Sequence, residues 1–177
     1  MAFYVDLRIL QLMDLSQTLL ESWRRQCACI DNLATLMNDD LLRAKPSGDG
    51  WDLAYHLCHV HSTRMYWLEM ASGQEDWPGI EYLIDYNANP RTHSYDLSKI
   101  RNQLKASQDA AAMWLAGSLS QDGPAGAYDH PVFYLQHMIW HEGWHAGLIM
   151  LGLRLAGSEP PEEWEDPNLW GNWRNYG

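Results

Sequence analysis

Positively charged residues are scarce in this chain of 177 residues. Twelve Lys and Arg stand against 23 Asp and Glu, so the formal net charge at pH 7 is −11. Such a chain repels a phosphate backbone, and no run of Lys and Arg makes a local exception. We therefore expect no nucleic-acid partner.

Long apolar runs are also missing, because no window of about eighteen uncharged apolar residues occurs. The start, MAFYVDLRILQL, lacks a basic leader and a small-residue cleavage site. We therefore expect a soluble, cytoplasmic protein that does not associate with a membrane. The three cysteines, Cys27, Cys29 and Cys58, lack the C-x-x-C spacing of zinc or thioredoxin sites, which indicates reduced thiols in the core.

Phenylalanine is rare, with two residues against ten Trp and nine Tyr. Tyr and Trp combine a large apolar area with a polar group, which suits the wall of a pocket or an interface. Most of the nineteen fill the core in the simplest interpretation. Because one small core does not readily hide so many, we expect a homodimer.

No stretch alternates in the manner of a half-buried strand, and four long segments have helical periodicity instead. They run from about Leu7 or Asp14 to Met37, from Trp51 to Ala71, from Leu97 to Leu119, and from Pro131 to Ala156. Four such helices predict an all-α, up-and-down four-helix bundle. The linker through Pro78 and Pro90 is too rich in Gly, Pro and Asn for one long helix, and is a candidate lid.

One domain is the simplest organisation for a chain of this length. We assign residues 1–177 to a single domain with a helical core over about residues 10–157. Residues 158–177 contain several prolines and tryptophans, and we predict an irregular tail that packs over the bundle.

Residues 141–145 read HEGWH, which matches the His-Glu-x-x-His of zinc peptidases. The metzincin continuation fails, because Ala146, Gly147 and Leu148 follow His145. A substrate-binding strand is not predicted either. A zinc peptidase is therefore the least favoured of the functions considered.

A third metal ligand would have to come from another helix. The second helix carries His56, His59 and His61 within two turns, and periodicity does not choose among them. Bundle interiors do hold metals through side chains on facing helices. Buried histidines are also common without a metal, so this pattern alone leaves both interpretations open.

Several short motifs together resemble a known family. Trp51 precedes His59 by eight residues within GWDLAYHLCHV, after a PSGDG turn, and HEGWHAG lies on the last helix. The Tyr86-Asn87-Ala88 step and the Arg154-Leu155-Ala156-Gly157 helix end fit the same pattern. In order and spacing these motifs are similar to the DinB-like (DinB/YfiT-like) family of four-helix-bundle candidate metalloenzymes, over about residues 10 to 157.

The resemblance implies one divalent metal ion bound by three histidines, at positions that match His59, His141 and His145 here. Glu142 is incidental to such a site, and Leu148 stands where the family often has Gln. Histidine ligands suit zinc and nickel, which we expect first, and also iron or copper.

Three neutral imidazoles leave coordination positions open, as in a catalytic rather than a structural site. Some members of the wider superfamily transfer or isomerise with low-molecular-weight thiols. The first hypothesis is therefore a metal-dependent enzyme acting on a small molecule, as a thiol S-transferase or a hydrolase. The alternative is a bundle that binds a ligand or partner without turnover. Tyr55, Tyr134 and Glu142 lie near the site by helical spacing, and no catalytic step is assigned to them.

Overall fold

The computed structural model describes residues 15–174. Four long α-helices form the body: α1 (Leu15–Thr35), α3 (Leu53–Ser72), α4 (Leu97–Ser118) and α5 (Pro131–Leu155). A short helix, α2 (Asp39–Leu42), follows α1, and α6 (Glu162–Glu165) continues into a π-helical turn (Asp166–Trp170) and a 3-10 turn (Gly171–Trp173). An antiparallel hairpin of β1 (Ile84–Asp85) and β2 (Thr92–His93) lies in the α3–α4 linker, with Ile84 paired to His93.

The prediction of an all-α four-helix bundle is confirmed, and the helix ends that fall within the described residues lie within two residues of those predicted. The predicted start at Leu7 or Asp14 lies outside the described residues. Two details differ. The linker contains a hairpin, and the tail is not wholly irregular, because it forms short helical turns over residues 162–173. The single domain over residues 1–177 stays a prediction.

The helix directions follow from two hydrophobic clusters at opposite ends of the bundle. The first contains Leu33, Leu53, Ile100 and Leu153, and the second contains Leu20, Leu68, Leu115 and Leu135. Helices α1 and α5 therefore run from the second cluster to the first, whereas α3 and α4 run the opposite way. Consecutive long helices are thus antiparallel between α1 and α3 and between α4 and α5, as an up-and-down bundle requires, but not between α3 and α4. The long linker over residues 73–96 returns the chain along the bundle, so that α3 and α4 are parallel.

Local chemistry sets the helix ends. Asp52 precedes α3, and its Oδ1 accepts a hydrogen bond from Tyr55 N at 2.8 Å. Gly73 ends the same helix with φ +71°, a left-handed conformation that glycine adopts without strain. Helix α5 begins at Pro131, where the missing N–H costs no helical hydrogen bond, after an N-cap at His130.

Helix α3 is buried on most of its circumference because it packs against both α4 and α5. Helix α1 packs against the same two helices from the other side. Within the described part of the chain, no helix combines the length and apolarity that crossing a membrane requires.

Candidate metal centre

Three histidines from two helices meet in the bundle. His59 lies on α3, and His141 and His145 lie one turn apart on α5. One ring nitrogen from each lies within 4.8 Å of the other two. The ring centroids are 5.2 Å apart for His59 and His141, 5.0 Å for His59 and His145, and 4.5 Å for His141 and His145. A group of this size and composition can hold one metal ion.

Aromatic packing holds His59 in place. The Trp51 ring lies 5.4 Å from the His59 ring, and the Tyr55 ring, one helical turn before His59, stacks on it at 5.7 Å. Trp51 and Tyr55 also contact each other, with centroids 4.1 Å apart. The spacing of Trp51 and His59 seen in the sequence therefore corresponds to a direct ring contact.

The three imidazoles are neutral at physiological pH. Burial lowers the pKa of His141 to about 4 and that of His145 to about 3. Burial, followed by the charge of Arg91, also lowers the pKa of His59. Because a metal ligand must be deprotonated, burial prepares these residues for binding without a proton having to leave.

The hydrogen bonds of the ring nitrogens fit a metal. Tyr86 Oη lies 3.1 Å from His59 Nδ1, and His56 Nδ1 lies 2.9 Å from His145 Nδ1. These contacts leave Nε2 of His145 for an ion, and Nε2 of His59 has only a long contact of 3.5 Å with Thr63 Oγ1. His141 Nδ1 is buried and has no hydrogen-bond partner among the described residues. The nitrogen donors and this unsatisfied atom together fit a divalent ion that accepts imidazole ligands.

The sequence analysis named His56 as one of three candidates on its helix but did not predict its contact with His145. It is 3% exposed, and its ring centroid lies 5.1 Å from that of His145. Its pKa falls to about 4, chiefly through burial, so it is neutral as well. His56 precedes His59 by one helical turn, and that spacing is the signal that it faces the same neighbour.

Two other histidines of the sequence analysis lie elsewhere. His61 is fully buried, and its Nε2 is 2.9 Å from the carbonyl oxygen of Glu81. His137 Nδ1 lies 2.8 Å from the hydroxyl of Tyr128, and the His137 ring contacts His141 only edge to face, with centroids 6.4 Å apart. Both side chains have structural partners outside the group of three.

Glu142 does not belong to the centre. It is fully buried and forms a two-pronged ion pair with Arg64, with Nε to Oε1 at 2.6 Å and a second contact at 2.9 Å. Gln26 also lies within 3.4 Å of Oε2. A carboxylate committed to Arg64 cannot serve as the general base that a zinc peptidase requires, so the geometry gives that function no support.

The two tyrosines predicted near the site lie in different surroundings. Tyr55 contacts the ring of His59, and its hydroxyl is buried without a hydrogen-bond partner among the described residues. Tyr134 is fully buried in the second hydrophobic cluster, where its hydroxyl donates to the carbonyl of Arg64 at 3.3 Å. Tyr134 lies two turns before His141, and the structure assigns it to the core.

A pocket of about 720 Å³ opens beside the histidines. His59 and His141 form part of its lining, and the hairpin segment with Tyr82 and Tyr86 forms the opposite wall. The linker predicted as a candidate lid therefore forms one wall of this pocket. A molecule in this pocket lies next to two of the three candidate ligands.

Asp52 ties this wall to α3. Besides capping the helix, it contacts His93 Nε2 at 2.9 Å and accepts a hydrogen bond from the hydroxyl of Tyr95. A smaller pocket of about 350 Å³ lies there, lined by Lys45, Arg91 and Asp52 among others. The helix start, the hairpin and the pocket wall are thus one connected unit.

Comparison with known proteins agrees with this architecture. No curated protein and no solved structure matches the chain. The family model described as DinB superfamily matches residues 21–149, which is most of the chain and includes all three histidines. The chain therefore belongs to the DinB superfamily.

Proposed function

We propose that this protein is a divalent-metal-dependent enzyme that acts on a small molecule, by thiol transfer or by hydrolysis. The observation that carries the proposal is the meeting of three neutral imidazole nitrogens within 4.8 Å, at the wall of a pocket of about 720 Å³. His59, His141 and His145 would hold the ion, with zinc or nickel expected first.

A bound divalent ion with three neutral ligands supplies a Lewis acid that lowers the pKa of a water or thiol. The chain's own residues orient and enclose the site. Tyr86 and His56 hold the rings of His59 and His145 through their Nδ1 atoms. Trp51 and Tyr55 cover the His59 ring, and the hairpin wall partly shields the pocket from water.

The protein's own thiols are not suited to act as nucleophiles. Cys27, Cys29 and Cys58 are all buried. Burial raises the pKa of each, to about 12 for Cys58, so they stay protonated at physiological pH. A thiol in the reaction would therefore have to come from a substrate.

Cobalt substitution tests the thiol-transfer form of the proposal. Mercaptoethanol, cysteine or glutathione is added to the cobalt protein, and a sulfur-to-metal charge-transfer band is expected for a thiol that binds the ion. A chloro-dinitro-arene or an epoxide is then expected to consume that thiol faster than with the His145→Ala protein. If no thiol alters the spectrum and no electrophile is consumed, thiol transfer is wrong. A hydrolase, or a bundle that binds a ligand without turnover, then takes its place.

A further inference from the structure

Aromatic rings dominate the pocket beside the three histidines. Tyr66, Trp67, Tyr82 and Tyr86 all line it. The three tyrosines are between 41% and 51% exposed, so part of each ring is open to an incoming molecule. Ring faces of this kind favour planar apolar groups through stacking and edge contacts. They also favour positive charge, because the faces of aromatic rings are electronegative.

Charged groups around the pocket are unfavourable to an anion. Of the described residues that line it, Asp85 is the one acidic residue and none is Lys or Arg. Glu69 on α3 is a second acidic group beside this wall, because burial and then its interaction with Tyr82 raise the pKa of that phenol. A carboxylate that entered this pocket would lose water without gaining a Lys or Arg partner among the described lining residues, which is costly.

The guanidinium next to Tyr86 lines a different pocket. Arg91 lies over the ring of Tyr86, 5.3 Å from its centroid, and lines the smaller pocket together with Lys45. Tyr86 lines the larger pocket and also contacts His59. The smaller pocket is therefore lined by cationic side chains, whereas the described lining of the aromatic pocket has none and includes His59 and His141.

We propose that the aromatic pocket binds a small aromatic molecule that carries no negative charge, and places it against His59 and His141. Treating that molecule as the substrate rests on the proposed metal-dependent function. The binding itself depends on the aromatic walls and the local charge, and does not require the ion.

Three naphthalene derivatives of matched shape test the selectivity on the metal-free full-length protein: 2-naphthylmethanol, 2-naphthylmethylamine and 2-naphthoate. A metal-free protein is used because a carboxylate can itself bind an ion. Isothermal titration calorimetry is expected to give the alcohol and the ammonium compound at least ~10-fold tighter binding than the carboxylate. Tyr82→Ala is expected to weaken binding of the alcohol at least ~5-fold, because it removes one ring wall. Trp173→Ala, which removes a half-exposed ring outside the pocket, is the control.

Two results would overturn the proposal. One is binding of 2-naphthoate as tight as that of the alcohol, and loss of that binding in Arg91→Gln would show that the cation-lined pocket is the real site. The other is an equal effect of Tyr82→Ala and Trp173→Ala. Metal analysis after zinc is added back to the same preparations reports separately on the proposed function, since a protein that binds the alcohol selectively but accepts no ion would retain this inference and lose that function.

Discussion

The Nδ1 atoms of two candidate ligands have different partners, although both rings face the same centre. His59 Nδ1 faces a phenol and His145 Nδ1 faces another imidazole. For His145 to bind an ion through Nε2, its Nδ1 must carry the proton and donate a hydrogen bond to His56 Nδ1. The proton of His56 then lies on Nε2, which is buried without a partner among the described residues. In that arrangement His56 accepts the hydrogen bond that holds His145 in the tautomer required for metal binding.

The first prediction concerns the three candidate ligands. Protein purified without a nickel column is expected to carry or accept about one divalent ion per chain, measured by inductively coupled plasma analysis. His59→Ala, His141→Ala or His145→Ala is expected to abolish this binding and to leave most helicity by circular dichroism. His137→Ala is the control, because its partner is Tyr128. Equal loss in the control would show that the ligand set is wrong.

The second prediction separates His56 from the ligands. His56→Ala is expected to leave the stoichiometry at one ion but to weaken affinity about 10–100-fold, because an outer partner orients its ligand without binding the metal. Competition with a chelator measures the change. The control is again His137→Ala. An unchanged affinity in His56→Ala would mean that the contact with His145 has no part in metal binding.

Sequence spacing located these residues only in part. The turn between His141 and His145 places both on one face of a helix, and the structure has them there. The choice among His56, His59 and His61 came from the family resemblance, because helical periodicity describes directions around one axis and not the neighbour that each direction meets. The Arg64 partner of Glu142 was not predicted for the same reason.

At the scale of elements, one buried ion pair joins the two helices that carry the histidines. Arg64 on α3 and Glu142 on α5 are both fully buried, and Arg64 also donates to the carbonyl of Leu104 on α4 at 3.1 Å. The pair lies next to His141 along α5 and about one turn beyond His59 along α3. It therefore sets the axial register in which the two helices present their imidazoles.

The third prediction follows from the cost of leaving a buried charge alone. Glu142→Ala is expected to lower the free energy of unfolding by about 3–5 kcal/mol, measured by urea denaturation. The double variant Arg64→Met/Glu142→Leu removes both charges and is expected to recover much of that loss. A single variant as stable as the parent would show that the pair contributes no specific stabilisation.

Since a zinc peptidase would need Glu142 as its base, proteolysis abolished by Glu142→Gln would contradict the proposed site.

The long helices were predictable because their apolar spacing persists over many turns. The hairpin was not, because its strands have two residues each and no alternation can be recognised over such a length. The parallel pair α3 and α4 was not predicted either. Its direction depends on how far the linker travels before α4 begins, and composition reveals only that the linker is not one helix.

At the scale of the whole molecule, buried neutral histidines make stability depend on pH. Burial lowers the pKa of His61 to about 4, from the 6.5 of an exposed histidine. Between these values the unfolded chain binds a proton that the folded chain does not, so stability is complete above about pH 6.5 and falls as the pH approaches 4. His56, His141 and His145 act in the same direction.

The fourth prediction applies this argument to His61 in the metal-free protein. Urea unfolding between pH 7.5 and 4.5 is expected to show a falling free energy of unfolding. The His61→Gln protein is expected to lose less on acidification, by up to about 1.4 kcal/mol for each pH unit below 6. Identical pH slopes for parent and variant would show that His61 titrates normally in the folded state.

The fifth prediction is a homodimer, and it rests on one face of α5. Phe133, Trp140, Trp144, Leu151 and Leu155 are exposed, with Trp140 at 76%, and their spacing places them along one side of the helix. An exposed apolar stripe on a helix of 25 residues suits packing against a second copy across a two-fold axis.

Light scattering is expected to give twice the chain mass of 20.4 kDa. The double variant Trp140→Glu/Trp144→Glu is expected to give single chains, because it places charge at the centre of the stripe, whereas Met113→Glu on α4 serves as an exposed control. A parent protein that stays at 20.4 kDa over a wide concentration range would exclude the dimer.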